Sequence, residues 1–163
     1  MNNTQDLYNT NVSLLKKLNI PFKECTSEPV LSYETAEKVR NEHGLTGVES
    51  KSLFLRAKNG TYYMFISIEG NRADFDAIKE LTGAKVSVAS QEELKELTGC
   101  EPYCAIPFGY PEDIITIIDP AIYNHQRFIF SPGPTNKTIE IETKYIDSIL
   151  EMLPNKQIKL SSV

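Results

Sequence analysis

The sequence predicts an α+β fold built on a mixed, mostly antiparallel β-sheet flanked by helices. Three observations predict it. Strands outnumber helices. Asn59-Gly60 joins two β-rich runs as a tight hairpin. Helical and strand segments do not alternate evenly, as they would in a doubly wound fold.

In chain order, Leu7, Leu14, Leu15 and Leu18 keep helical spacing, so residues 5–18 read as an amphipathic helix, ended by Asn19 and Pro21. Residues 22–26 suit a short strand. Ser32 is placed to cap a helix over 33–43 that Gly44 closes. Residues 52–56 and 61–68 form the hairpin, with positive φ expected at both Asn59 and Gly60. A helix over 73–82 precedes Gly83, and 85–88 is a strand. Ser90-x-x-Glu93 is a capping box opening a helix that Gly99 stops.

Residues 99–111 hold three prolines and two glycines in thirteen positions, which makes a shaped loop. Residues 114–118 form an apolar strand that Asp119-Pro120 breaks. Residues 127–130 form another, then a turn occupies 131–136, and 138–142 alternates as a half-buried strand. Thr143 is expected to cap a helix over 144–153 that Pro154 stops, with 155–163 a frayed tail.

The 163 residues suit one domain, with no repeat or linker dividing 1–163. No run is apolar enough to span a membrane. The start of the chain lacks the basic and apolar regions of a secretory signal, so a cytoplasmic location is expected. A net charge of −5 argues against DNA or a broad nucleic-acid groove, yet allows a grip on one RNA terminus, where few phosphates are neutralised. Three cysteines and two histidines supply no credible metal set, and no phosphate-binding glycine motif is present, so neither a metal nor another cofactor is expected.

Lys51 stands at the mouth of a strand. It is either a cation aimed at a phosphate or carbonyl oxygen, or a solvated strand-end lysine. The loop from Gly99 to Gly109 either presents backbone groups to a ligand or is a rigid connector. Cys104 reads better as an inert buried thiol than as a nucleophile, and His125 better as structural than as a base. Asp113 and Asp119 could cap or orient neighbouring groups. No Ser–His–Asp context exists.

Taken together, these segments resemble the YbaK/prolyl-tRNA-editing family. Glu49-Ser-Lys-Ser-Leu-Phe-Leu-Arg56 is similar to its K-N-L-F-L strand. Leu97-Thr-Gly-Cys-Glu-Pro102 and Pro107-Phe-Gly109 resemble its G-x-x-P-G-x-x-x-P-F-G loop. Residues 29–36 and 86–93 are similar to its first helix opening and its S-x-A-S-x-E-x-L passage, over about residues 22–153. Three positions depart from the pattern. Tyr103 replaces the glycine after the loop proline, Glu28-Pro29 replaces His-Pro, and residues 131–136 lack the histidine of His-Pro-x-x-N.

The resemblance implies a curved sheet of that family's type and a trans-acting deacylase. The enzyme would hydrolyse the ester of a mischarged tRNA, alanine or another small residue on proline tRNA first. It implies catalytic roles for Lys51, Gly99 and Pro107, with the aminoacyl end contacted by Pro102, Tyr103, Cys104, Ala105, Ile106, Phe108 and Asn136. Lys51 would hold the phosphate or ribose of the terminal adenosine, while the loop positions the attacking water. The ribose hydroxyl beside the ester would help to activate that water. The implied partners are the acceptor end of aminoacyl-tRNA and prolyl-tRNA synthetase. A non-catalytic module that binds aminoacyl-tRNA, amino acid or synthetase is the competing expectation, and a regulatory domain with a vestigial pocket is a third.

Overall fold

A computed structural model describes residues 2–160. Its helices are α1 (Thr4–Lys17), α2 (Tyr33–His43), α3 (Phe75–Thr82), α4 (Gln91–Thr98) and α5 (Ile146–Met152). Its strands are β1 (Phe22–Thr26), β2 (Val48–Ala57), β3 (Tyr62–Ile68), β4 (Val86–Val88), β5 (Ile115–Ile118), β6 (Arg127–Phe130), β7 (Lys137–Glu142) and β8 (Gln157–Lys159). They form one eight-stranded sheet in the order β1-β7-β6-β2-β3-β5-β8, with β4 attached to β2. The β1–β7, β6–β7, β2–β3 and β2–β4 pairs are antiparallel, while β2–β6, β3–β5 and β5–β8 are parallel. The mixed, mostly antiparallel α+β sheet expected from the sequence is therefore present.

Strand β2 organises the molecule. One edge runs antiparallel to β3 from Ser50 opposite Ile68 to Arg56 opposite Tyr62. The other edge is shared: Val48 and Glu49 pair with β6, and Leu55–Ala57 pair with β4. Between those partners the sheet edge is open beside Ser50.

Because β2 alternates, its two faces feed two cores. Phe54, Met64 and Ile66 join Leu7, Leu15, Phe128, Phe130 and Ile149 in the larger core, under α1 and α5. Leu55, Phe65 and Ile117 join Ile78 of α3 in the smaller core on the other face.

The caps follow the sequence. Ser32 accepts from the Thr35 N–H, and Ser90 and Glu93 make the reciprocal box. Four details differ from expectation. Only Gly60 of the Asn-Gly pair has positive φ; its N–H donates to Ala57, whose own N–H reaches Thr61, so the hairpin closes through three loop residues with the glycine last. Asp119-Pro120 opens a 3-10 helix over Pro120–Asn124, with the Asp119 carboxylate accepting from the Ala121 N–H. Thr143 starts a 3-10 turn and makes no cap; its buried hydroxyl has no partner. The expected frayed tail is a strand as far as it is described: Gln157–Lys159 pair with β5, and buried Asn155 donates to the Pro111 and Ile114 carbonyls. Residues 161–163 of that tail lie outside the described residues.

Candidate functional site

A cleft of about 240 Å³ opens beside the start of β2. Four segments wall it. Glu49 and Ser50 come from β2, and Phe130 and Ser131 from the end of β6. Thr135, Lys137 and Thr138 come from the entry to β7, and Tyr103, Cys104 and Ala105 from the proline loop. Val30–Tyr33 and Ala36, at the start of α2, complete the lining. That last segment is strapped in place, since the Ser27 and Val30 N–H groups donate to the Asn136 and Thr135 carbonyls at 2.9 and 2.8 Å.

The proline loop divides into three parts. Gly99 ends α4 at φ 86, with the Asn2 backbone 2.7 Å from where a Cβ would stand, so only glycine fits. Pro102 and Tyr103 form a turn closed by the Cys104 N–H on the Glu101 carbonyl at 3.0 Å. Proline second and positive φ third is the type II pattern, which normally calls for glycine at the third position. Tyr103 holds that conformation at φ 65. The residue is 85% exposed, so it rims the cleft and does not plug it.

The third part, Ile106 to Phe108, turns into the core. Phe108 meets Phe130 edge-on at 5.3 Å between centroids, and Ile106 is fully buried. Asn11 of α1 ties this arm down by donating to the Phe108 carbonyl at 2.9 Å.

The predicted site residues therefore separate. Tyr103, Cys104 and Ala105 reach the cleft. Ile106, Pro107 and Phe108 are buried supports that do not line it, Gly99 is a helix terminator, and Pro102 is an exposed turn residue. Asn136 is exposed and contributes its carbonyl to the strap. Lys51 is the main correction: it does not line the cleft, and its ammonium donates to the Asn71 carbonyl at 3.1 Å. Strand parity does not account for this, because Glu49 has the same parity as Lys51 and lines the cleft. Cys104 is half-buried, not fully buried; burial pushes its thiol up, away from the thiolate a nucleophile needs. His125 is exposed and is not among the cleft residues.

Two charged residues of the cleft escaped the sequence reading. Lys137 donates to Thr26 Oγ1 at 2.8 Å and lies 3.9 Å from Glu24. Glu49 lies 3.3 Å from Arg40 Nη1, which also stands 3.7 Å from Glu69. Burial outweighs the Arg40 guanidinium and pushes the Glu49 carboxyl up to about 7. Burial and the two nearby carboxylates also raise the Tyr33 phenol. Glu49 sits two residues before the expected lysine, the one signal that could have pointed to it. The chemistry on offer is a small chamber of mixed, more apolar than polar, lining with several hydroxyls, one titratable carboxyl and an ammonium already engaged by β1. Among the described residues no cluster of metal-ligating side chains occurs.

A family model described as an aminoacyl-tRNA editing domain matches residues 28–148. The multifunctional Ser/Thr-tRNA deacylase ProXp-y of Escherichia coli (strain K12) is 26% identical over 137 residues, 81% of each chain. The crystal structure of a hypothetical protein superposes with a TM-score of 0.77 at 18% identity, covering 94% of this chain and 99% of that one. A structure assigned to a trans-editing enzyme for prolyl tRNA synthetase gives 0.71 at 19% identity, over 96% and 98%. Both structural likenesses bear on the fold.

Proposed function

The chain belongs to the aminoacyl-tRNA editing domain family, and on that premise we propose that it is a trans-acting deacylase that cleaves the ester of a small amino acid from mischarged tRNA. The observation that carries this reading is the size and lining of the cleft. Its volume of about 240 Å³ lies below the roughly 300–1,000 Å³ of pockets for larger ligands. A small aminoacyl group and an attacking water fill such a space, and the remaining RNA stays outside. The net charge of −5 agrees with a footprint confined to the RNA terminus.

An aminoacyl ester is intrinsically reactive, so holding water and ester together is the main demand on the protein. The loop backbone at Tyr103–Ala105 and the hydroxyls of Ser50, Ser131 and Thr135 surround the space where the ester would lie. Lys51 follows Ser50 and has two of its three ammonium donors available beyond the Asn71 bond. We assign it the terminal phosphate or ribose at the rim, and the ribose hydroxyl the activation of water. Alanine on proline tRNA is the first expected substrate. The hydroxyl-rich wall favours serine or threonine as a second reading, in line with the relative's name. Editing of this kind adds selectivity that a synthetase pocket lacks, since one methylene is worth only about 1–3 kcal/mol. Prolyl-tRNA synthetase is the partner proposed for delivery.

Deacylation of alanyl-, cysteinyl- and seryl-proline tRNA and of seryl- and threonyl-threonine tRNA tests the proposal. Turnover of at least one small-residue ester is expected. Rates no faster than spontaneous hydrolysis for all of them would remove the enzyme reading and leave a binding module or a regulatory domain.

A further inference from the structure

Glu49 is a charged wall residue whose side chain is 12% exposed. It shares the single guanidinium of Arg40 with Glu69. One guanidinium cannot fully balance two carboxylates, so Glu49, when ionised, lacks a full counter-charge beside the cleft. The other groups near it do not supply one. Tyr33 is a neutral phenol, the Cys104 thiol is held protonated by burial, and Lys137 spends its ammonium on Thr26 and Glu24 of β1. The cleft therefore has an anionic wall at Glu49 with nothing cationic in contact but a shared arginine.

An aminoacyl ester carries one cation, its α-ammonium. We propose that Glu49 receives the free α-ammonium of the aminoacyl group, so that the cleft selects unblocked amino-acid esters over N-acylated ones such as peptidyl esters. This rests on the deacylase reading above. An N-acyl group removes the positive charge, adds bulk to a small chamber and leaves the buried carboxylate with only its share of Arg40. The elevated Glu49 carboxyl agrees with an unfilled cation site, because an arriving ammonium favours the ionised form.

The test measures binding and turnover separately. Seryl-adenosine with an amide in place of the ester, and its N-acetyl derivative, are titrated into the wild type and Glu49→Gln by calorimetry. Seryl-tRNA and N-acetyl-seryl-tRNA are compared in hydrolysis. The wild type should prefer the free amine at least about tenfold, and Glu49→Gln should lose most of that preference, chiefly through KM. Should the variant misfold, the wild type alone decides: its preference should shrink from about pH 7.5 to about pH 5.5, where Glu49 is protonated. A preference that survives in Glu49→Gln or at the lower pH, no preference at all, or no binding of either amide overturns the assignment. Selective binding of the free-amine amide without hydrolysis of any ester would retain Glu49 and remove the deacylase reading.

Discussion

The backbone N–H of Tyr103 donates to Oε1 of Gln91 at 2.6 Å, joining the tip of the proline loop to the first residue of α4. That bond helps to hold a tyrosine in a left-handed conformation that costs an L-residue about 1–2 kcal/mol. Tyr103→Gly relieves the cost and returns about 0.4–1 kcal/mol as unfolded-chain entropy. Since the ring is exposed, the balance is a gain of about 0.5 kcal/mol, read as a higher urea midpoint at an unchanged m-value. Tyr103→Val, β-branched at positive φ, should lower the midpoint.

Asn11 is buried and donates its amide to the Leu7 and Phe108 carbonyls at 2.9 Å and the Pro132 carbonyl at 3.4 Å. Asn11→Ala leaves acceptors unpaired in the core and should cost about 2–3 kcal/mol in denaturant unfolding. Because the same amide fixes both the loop and the turn before β7, the variant should also lose hydrolytic rate at temperatures where it remains folded.

Glu49 makes stability depend on pH. Its folded carboxyl titrates at about 7, above the ordinary 4.5, so between those values the folded chain binds more protons than the unfolded one. The stability this group contributes is complete below about pH 4.5 and is lost as pH rises through about 7. Glu49→Gln cannot ionise. Its unfolding free energy should therefore improve relative to wild type by about 1–3 kcal/mol between pH 5 and pH 8, in paired urea titrations.

Two lysines test the division between rim and cleft. Lys51→Ala should lower kcat/KM for a small-residue ester at least about tenfold, equivalent to about 1.4 kcal/mol. Equal rates for the variant and the wild type would remove the role given to Lys51. Lys137→Ala unties the cleft wall from β1 and should act mainly on KM, without changing the salt dependence as strongly as Lys51→Ala does.

The elements were legible because their signals are local: helical leucine spacing, Ser32 and Ser90 as caps, glycines after α2, α3 and α4. Strand β8 was not, because Gln157–Lys159 has no pattern of its own and is a strand only by lying against β5. Of the expected site residues, those at the loop tip, 103–105, line the cleft. Phe108 packs on Phe128 and Phe130 and does not line the cleft, and an aromatic in a shaped loop gives the same sequence signal in either place. Lys51 stands outside the cleft although Glu49, of the same strand parity, lines it, and no composition signal says where along β2 the cleft ends. Glu49 needed Arg40 and Glu69 from other elements before its charge balance had meaning.

The C-terminal strand also has a bearing on solubility. Ile115–Ile118 is a short, mostly apolar and largely buried strand, and Gln157–Lys159 covers its outer edge with a polar, cationic one. A chain cut after Leu153 bares a row of unpaired amides and carbonyls that other molecules can extend. Such a truncation should precipitate on expression even though it leaves every cleft residue in place.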